Sequence, residues 1–440
     1  MSRLVVLLVA TYLFHMVVQA AKPVVKVASF MPAASTAALP PPLVNANAAI
    51  LMDRQSGFVL WSHNPDLELP MASTTKIMTA MVILDHGASR LNEMVKVSRN
   101  AYFAGGNYYF HEGDVTTLDN LLIAALTSSS NQATVAAAEY LAGDEQTFVG
   151  WMNAKAHTLG LKHTRFLNPH GLFERYHGLN HHTTARELAL ITRAALSDYP
   201  LIREIIVMGP VKIAVQPYKW KIWLNNHDRI VNEPVPGVPG AVVDGVKTGY
   251  VTASGKCLVS SATLHNWQLI AVVLNCPMAF QDNLQLLRYG FTHYTWERYA
   301  SATQPGASTK VLWGAPDSIP LGTARDFGVP VLKDGNPSGD EVMFVGKPLR
   351  APIRKGAKVG KLELHRHGQL VNSTAAIALC AAPLVWWIHL LIAIGYLCTF
   401  LICLVVIDKL YGTHTKNTRR RRRVVEETGG KTYYGRTRDR

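Results

Sequence analysis

The 440-residue chain has few charged residues and few cysteines. Charged residues make up 17% of it and hydrophobic residues 48%, a balance that argues against a wholly disordered protein. The cysteines offer no disulfide framework, because Cys380, Cys398 and Cys403 fall within or near an apolar segment. Cys257 and Cys276 lie on neighbouring predicted strands, where a one-residue difference in register would place them on opposite faces. We therefore expect free thiols.

Charge is also absent from Leu384 to Ile407, a run of 24 residues without Asp, Glu, Lys or Arg. This length is enough to cross the hydrocarbon layer, so the run predicts a transmembrane helix. Residues 408–440 then hold 11 Lys and Arg against 4 Asp and Glu, which predicts a basic cytoplasmic tail by the positive-inside rule. The arginines from Arg419 to Arg423 favour lipid headgroups or fixed topology over nucleic acid, because they adjoin a membrane span.

The N-terminal composition predicts an exported protein. Residues 1–20 combine Arg3, a short apolar run and a small-residue cleavage pattern, which is typical of a secretory signal peptide. Residues 21–44 are rich in Ala, Pro and Ser and predict a linker. We expect a first domain over residues 45–299 and a β-rich domain over residues 300–375, where short β-like runs are separated by Gly, Pro and Asp.

Apolar patterning predicts the main helices and strands. Helices are expected over residues 117–126, 131–141, 144–159 and 183–196, with Asp144 and Thr183 as caps. Hairpins are expected over residues 48–61 and over residues 255–276, the second turning at residues 265–266. The histidines His177, His181 and His182 lack a cysteine or carboxylate at complementary spacing, so we expect a hydrogen-bonded loop rather than a metal site.

The segment from Met71 to Ala80 opens an apolar helical run and places Ser73 three residues before Lys76. Residues at this spacing project from one helix face, so an amine kept neutral by burial could take the proton of the serine hydroxyl. At a helix start the Ser73 N–H lacks an intrahelical partner and can face a developing oxyanion. Alone, the same pattern equally describes a helix cap followed by a solvated lysine.

Two later motifs change this balance. The triplet from Ser129 to Asn131 is predicted to be a tight connection between helices, and Lys247 to Gly249 suits an edge strand with which an extended peptide could pair. Serine-x-x-lysine, a serine/asparagine triplet and Lys-Thr-Gly together are the signature of penicillin-interacting serine enzymes. Separations of 56 residues from Ser73 to Ser129 and 118 from Ser129 to Lys247 argue against coincidence.

With these motifs the chain resembles the low-molecular-weight penicillin-binding proteins that are serine-type D-alanyl-D-alanine carboxypeptidases. The resemblance covers roughly residues 45 to 370 and includes blocks at residues 45–53, 166–172, 182–189 and 244–249. This chain departs from the family pattern at Ser130, where the family usually has glycine, and at Tyr250, where it often has histidine. Neither departure removes a reacting group.

The resemblance implies an α/β (α+β) protein with the penicillin-binding-protein/β-lactamase-like transpeptidase fold. In it, helices flank both faces of an antiparallel sheet, the N-terminal strands pair beside the Lys247 strand, and a small all-β domain and one transmembrane helix follow. The implied substrate is a peptidoglycan stem pentapeptide ending in D-Ala-D-Ala, and β-lactams would be covalent inhibitors. The catalytic domain would lie outside the cell membrane. No metal, organic cofactor or nucleic acid is expected.

The resemblance also implies roles for individual residues. Ser73 would be the nucleophile, Lys76 the base and Ser129 the proton donor to the leaving nitrogen. The implied substrate-binding residues are Asn131, Lys247, Thr248, Gly249 and Tyr250. Ser73 and Tyr250 would supply the oxyanion-hole N–H groups, and Lys247 with Thr248 would bind the terminal carboxylate.

Three alternative functions are compared with this one. An endopeptidase that cuts peptidoglycan cross-links would use identical chemistry. A class A β-lactamase also needs a glutamate for deacylation, and no clear equivalent lies between Ser129 and Lys247. A non-catalytic wall-binding protein would be expected to lack a reacting residue, whereas every one is present here.

Overall fold

The computed structural model describes residues 42–172, 175–176, 179–218, 221–334 and 339–427. The predicted signal peptide and most of the predicted linker, residues 1–41, lie outside the described residues. The same holds for residues 428–440 at the end of the predicted tail.

The elements are numbered here in chain order. The strands are β1 Ala48–Asp53, β2 Val59–His63, β3 Met94–Lys96, β4 Val115–Thr117, β5 Arg175–Tyr176, β6 Leu179–Asn180, β7 Val211–Ala214, β8 Lys221–Leu224, β9 Ala241–Val251, β10 Gly255–Leu264, β11 Trp267–Leu274, β12 Tyr294–Ala300, β13 Ala307–Leu312, β14 Ser318–Gly322, β15 Phe327–Leu332, β16 Asp340–Val345, β17 Leu349–Arg350, β18 Lys358–Arg366 and β19 Gln369–Ala378. The α-helices are α1 Lys76–Gly87, α2 Arg99–Tyr102, α3 Leu118–Leu126, α4 Asn131–Ala142, α5 Glu145–Thr158, α6 Ala185–Asp198, α7 Pro200–Ile206, α8 Ala279–His293 and α9 Trp386–Glu427.

A five-stranded antiparallel sheet in the order β2-β1-β11-β10-β9 forms the centre of the first domain. Both predicted hairpins are confirmed, since β1 pairs with β2, and β10 pairs with β11 across a turn at His265 and Asn266. The expectation that the N-terminal strands lie beside the Lys247 strand is wrong, because β11 and β10 separate β1 from β9. β9 ends the sheet and is the predicted edge strand.

Helices α2 to α6 of the first domain begin at capping side chains. Thr117 and Asp144 each accept a hydrogen bond from a backbone N–H three residues later, and they cap α3 and α5. The predicted cap Thr183 is wrong by one residue, because Thr184 caps α6. Thr183 is instead held in a β-bridge to Leu69, which leaves the next residue to start the helix.

Successive residues of the central strands face opposite sides of the sheet and fill two separate hydrophobic cores. On β1, Ile50 packs against helices α1 to α7, here called the helical lobe, while Leu51 packs on the side that α8 covers. Cys257 lies in the first core and Cys276 in the second, and both are buried free thiols. Helices therefore cover both faces of the sheet, and the expectation of free thiols is confirmed.

The second domain consists of strands. One sheet has the order β16-β18-β19-β14-β13-β17, and β12 pairs with β15. Their buried side chains, including Val329, Leu362 and Leu364, form a third core. The domain begins without a linker, since β12 starts at Tyr294 directly after α8 ends at His293. The predicted all-β domain is confirmed, and the predicted domain limits stay predictions.

The apolar C-terminal helix is α9. Its segment Trp386–Lys409 has 24 residues, and an 18-residue stretch within that segment has a mean hydropathy of 2.9 and no buried part, so the segment is long and apolar enough to cross a membrane. The predicted start at Leu384 is two residues early, because Leu384 still forms a β-bridge with Gly314 of the all-β domain. The helix continues to Glu427, into the predicted tail.

Candidate active site

Ser73 lies in a 3₁₀ turn, Ala72–Thr75, that leads directly into α1. The two threonines after Ser73 each donate a hydroxyl hydrogen to the backbone carbonyl three residues earlier, at 2.7 Å. These bonds hold the turn in place. Ser73 is therefore at the start of a helix, as the sequence predicts.

Lys76 is fully buried with its amine at the Ser73 hydroxyl. Its Nζ lies 2.9 Å from Ser73 Oγ, 2.7 Å from Asn131 Oδ1 and 2.7 Å from the His170 carbonyl oxygen. Burial, reinforced by the positive charge of Lys247, holds the pKa of Lys76 well below its usual 10.5. The structure thus brings the predicted nucleophile and base together and favours the neutral amine.

The triplet from Ser129 to Asn131 connects α3 to α4, as predicted. Ser129 has a left-handed backbone with φ +55, and Asn131 begins α4. Ser130 has an ordinary φ of −64 and caps α4 by accepting a hydrogen bond from the Ala133 N–H at 3.2 Å. A side chain in place of the family's usual glycine is therefore accommodated without strain. Within the described residues the Ser129 hydroxyl makes no hydrogen bond to Lys76, so its role stays a prediction.

The edge strand β9 passes very close to the Ser73 turn. A Cβ on Gly249 would lie 3.0 Å from the Met71 carbonyl oxygen and 3.2 Å from the Ser73 nitrogen, so glycine permits this approach. Lys247 is buried on the same strand, with its Nζ 3.3 Å from the Thr248 carbonyl oxygen. The structure thus brings the Lys-Thr-Gly motif against Ser73.

The backbone of Tyr250 is directed to the open side of β9. Tyr250 lies opposite Lys256 of β10, and the Lys256 carbonyl accepts from the Cys276 N–H on the far side, at 2.8 Å. The Tyr250–Lys256 pair is therefore a non-hydrogen-bonded one, which turns the Tyr250 N–H away from β10. The Tyr250 side chain, where the family often has histidine, is 66% exposed.

Asp228 is a site residue that the sequence analysis missed. Burial raises the pKa of Asp228 to about 6, and the charge of Lys247 acts in the opposite direction. Burial likewise lowers the pKa of Lys247 to about 8, with Asp228 opposing the change. Asp228 lies in the loop between β8 and β9, and only the fold brings it near Lys247, so no local pattern could have identified it.

The His170–Gly171 segment was also missed, since the sequence showed it only as part of a family block. The His170 carbonyl accepts from Lys76, and burial lowers the pKa of the His170 ring to about 3. Gly171 has φ +90, and a Cβ there would lie 1.9 Å from the carbonyl oxygen of Ala72, whose own φ is +48. Because residue 171 is glycine, its backbone can pack directly against Ala72. This contact holds Ala72, the strained residue that precedes Ser73, in place.

The buried ring of His181 supports the same turn. Its Nδ1 accepts from the Leu167 N–H at 3.1 Å, so its Nε2 carries the hydrogen and donates to Thr75 Oγ1 at 2.8 Å. Burial lowers its pKa to about 3, which keeps the ring neutral. His182 is bonded to the Asn180 carbonyl oxygen at 2.8 Å. These two histidines are hydrogen-bonded as expected, and His177 lies outside the described residues.

Two family descriptions match the chain in succession. Residues 34–278 match the family described as D-alanyl-D-alanine carboxypeptidase, of the S11 peptidases. Residues 298–384 match the C-terminal domain of penicillin-binding protein 5. The first match contains every site residue described above, and the second begins within β12 and covers the rest of the all-β domain.

Characterised relatives and a solved structure agree with these matches. The D-alanyl-D-alanine carboxypeptidase DacF of Bacillus subtilis is 33% identical over 346 residues, 76% of this chain and 85% of the relative. A D-alanyl-D-alanine endopeptidase of Pseudomonas aeruginosa is 32% identical over 253 residues, 55% of this chain and 78% of the relative. The crystal structure of penicillin-binding protein 5 from Haemophilus influenzae aligns with a TM-score of 0.63 at 28% identity, covering 79% of this chain and 100% of the other.

We predict that Gly171→Ala greatly slows acylation of the predicted nucleophile Ser73, because the added methyl group must displace the Ala72 carbonyl and with it the neighbouring Ser73. A shift of about 1 Å in a reacting group can cost roughly 100-fold in rate. The measurement is the rate of covalent labelling by a fluorescent penicillin. Gly160→Ala is the matched control, because Gly160 also has a positive φ, +76, but open space around it. Equal labelling rates for the two variants would contradict the prediction.

Proposed function

The chain belongs to the D-alanyl-D-alanine carboxypeptidase family of low-molecular-weight penicillin-binding proteins, and from that premise we propose that Ser73 is the nucleophile of its reaction. The protein is a serine-type D-alanyl-D-alanine carboxypeptidase of the peptidoglycan. The observation that carries the proposed mechanism is the 2.9 Å contact of Ser73 Oγ with the buried amine of Lys76.

The surroundings of Lys76 direct its lone pair toward Ser73. A neutral amine has two N–H groups and one lone pair, and two of its three neighbours, the Asn131 side-chain oxygen and the His170 carbonyl, can only accept. The two hydrogens go to these acceptors, which leaves the lone pair for the Ser73 hydroxyl hydrogen. Lys76 is thus the general base that activates Ser73.

The substrate-binding side of the proposed site is β9. A stem pentapeptide would lie extended along this edge, with its terminal carboxylate at the charged Lys247 amine and the Thr248 hydroxyl. Its penultimate carbonyl oxygen would accept from the Ser73 and Tyr250 N–H groups. The direction of the Tyr250 N–H, away from β10, supports this arrangement. Asn131 would orient the substrate amide together with Lys76.

The proposed reaction has two steps. The Ser73 oxygen attacks the penultimate D-alanine carbonyl as its proton passes to Lys76, and the peptide C–N bond breaks. The leaving amine takes a proton through Ser129, so free D-alanine departs and an ester on Ser73 remains. Water then attacks the ester carbonyl, releasing the shortened peptide and restoring the Ser73 hydroxyl. β-Lactams would acylate the same oxygen and remain as the covalent adduct.

An endopeptidase acting on peptidoglycan cross-links is the second candidate function. The similarity to the Pseudomonas aeruginosa endopeptidase favours it, although that relative covers only 55% of this chain. The buried Lys247 favours the carboxypeptidase, since its charge suits a free terminal carboxylate better than the continuing chain of a cross-link.

We also propose that the catalytic domain works outside the cell membrane. The length and hydropathy of Trp386–Lys409 support a single membrane crossing. The basic residues that follow it support a cytoplasmic C-terminus.

The direct test of this function is the product formed from two purified substrates, a stem pentapeptide and a cross-linked peptide dimer. We expect one D-alanine released per pentapeptide and much slower cleavage of the dimer. Ser73→Ala should lose both the release and the covalent penicillin label. Preferential cleavage of the dimer would select the endopeptidase instead, and label retained in Ser73→Ala would refute the nucleophile.

Lys76→Arg tests whether Lys76 acts as a base or only as a positive charge. Arginine keeps the charge but stays protonated, so it cannot accept the Ser73 proton. Because general-base catalysis contributes about 100- to 10,000-fold, we expect acylation to fall by at least about 100-fold. Stopped-flow labelling with a fluorescent penicillin measures this rate. A near-normal rate in a correctly folded variant would show that the base lies elsewhere.

The pH dependence should reveal Lys247. Its pKa is lowered to about 8 and its charged form binds the carboxylate, so kcat/KM should fall as the pH rises through about 8, mainly through KM. Lys247→Arg should remove this alkaline limb, although the overall rate is lower, because arginine stays charged. Steady-state kinetics on the pentapeptide from neutral to alkaline pH measure it. If kcat/KM of the Lys247→Arg variant fell over the same alkaline range, the fall would be due to a group other than Lys247.

A further inference from the structure

The junction between the all-β domain and α9 has no free linker. Residues 379–385 follow β19, and backbone hydrogen bonds hold them between two loops of the domain. The Ala315 N–H donates to the Pro383 carbonyl and the Val385 N–H donates to the Trp313 carbonyl, both at 2.9 Å. Residues 313–317 are here called the first junction loop. Two more hydrogen bonds of 2.9 Å join Ala382 to Ile353 in the second junction loop, residues 351–357. α9 starts at the next residue, Trp386.

This attachment places both junction loops at the surface of any bilayer that α9 crosses. The apolar segment has 24 residues. At 1.5 Å per residue this corresponds to about 36 Å, slightly more than the roughly 30 Å hydrocarbon layer. Trp386 and Trp387, 76% and 43% exposed, stand at its start, where tryptophan is enriched at membrane interfaces. With no linker to extend, the loops stay close to the start of the helix and therefore near headgroup level.

The residues around this junction carry excess positive charge. Arg350 of β17 and Arg354 and Lys355 of the second junction loop are exposed, and within the described residues none of them forms an ion pair. The Arg350 guanidinium lies 5.4 Å from the ring centre of Trp313, in the first junction loop. Asp317 is the one acidic residue in the two loops.

We propose that Arg350, Arg354 and Lys355, here called the basic rim, bind the phosphate groups of anionic lipids and seat the all-β domain on the membrane. The inference rests on the proposed crossing by α9. The rim lies at the start of the span, in the leaflet opposite the basic tail. One Lys or Arg near an anionic surface strengthens attraction about 5-fold, so three together give on the order of 100-fold.

The experiment is hydrogen–deuterium exchange of the full chain in lipid nanodiscs. We expect the amides of residues 313–317 and 346–357 to exchange at least about 5-fold more slowly in discs with phosphatidylglycerol than in discs of phosphatidylcholine alone. The difference should disappear in the triple variant Arg350→Gln, Arg354→Gln, Lys355→Gln, and at about 1 M salt, where the Debye length is about 3 Å.

The matched control is Arg99→Gln, Lys162→Gln, Arg165→Gln. It removes the same number of positive charges, two Arg and one Lys, from exposed positions on the catalytic domain. The difference in exchange rate between the two kinds of disc should remain complete in this variant. Unchanged exchange in the rest of each variant shows that it is folded.

Three results would overturn the proposal. Equal exchange of the two loops in both kinds of disc would show that anionic lipid does not contact them. Protection by a soluble anionic polymer in phosphatidylcholine discs would assign the basic rim to a wall polymer instead. A chain that salt removes from the discs would refute the membrane crossing itself, a failure that leaves the D-alanine assay unaffected.

Discussion

The structure of the site depends on one lysine amine kept away from water. Burying a charged ammonium group is costly unless it is paired, and no carboxylate oxygen lies among the three oxygens that contact Lys76 Nζ. The neutral amine avoids that cost and needs only acceptors for its two hydrogens. Those acceptors come from the start of α4 and from the segment after α5, so these helices must pack correctly around α1 before Lys76 has the surroundings of the proposed base.

The same site requires two backbones to approach more closely than side chains allow. Gly249 lets the edge strand reach the Ser73 turn, and Gly171 lets the loop on the other side contact Ala72. Ser73 is held between these two glycines, with His181 and Thr75 supporting the turn. Ser73 is therefore positioned by backbone contacts, which suits the nucleophile proposed here because such a group must attack along a defined direction.

The sequence was sufficient where chemistry is carried by local motifs. Ser73 with Lys76, the triplet at Ser129 and the motif at Lys247 were placed on the correct elements, because periodicity and capping are properties of neighbouring residues. Contacts that depend on the fold were missed. The His170 acceptor is a carbonyl that every residue possesses, and the closeness of Asp228 to Lys247 exists only once β9 is in place. The strand order that the resemblance implied was wrong, and the hairpin patterns could not correct it, since a hairpin pattern does not say which strand lies beside the hairpin.

The two domain junctions lack free linkers, and this would restrict where an enzyme anchored through α9 can work. β12 begins at Tyr294, directly after α8, and Val385 is hydrogen-bonded to the all-β domain one residue before α9 begins. Neither junction therefore contains a flexible connecting segment. An enzyme on a flexible tether can reach peptidoglycan at many heights above the membrane. An enzyme on a stiff support reaches only a thin layer at one height. With α9 across the membrane, the proposed site beside β9 would therefore cleave only stem peptides in that layer. Each stem peptide would be accessible to the enzyme only until wall growth moves it out of that layer.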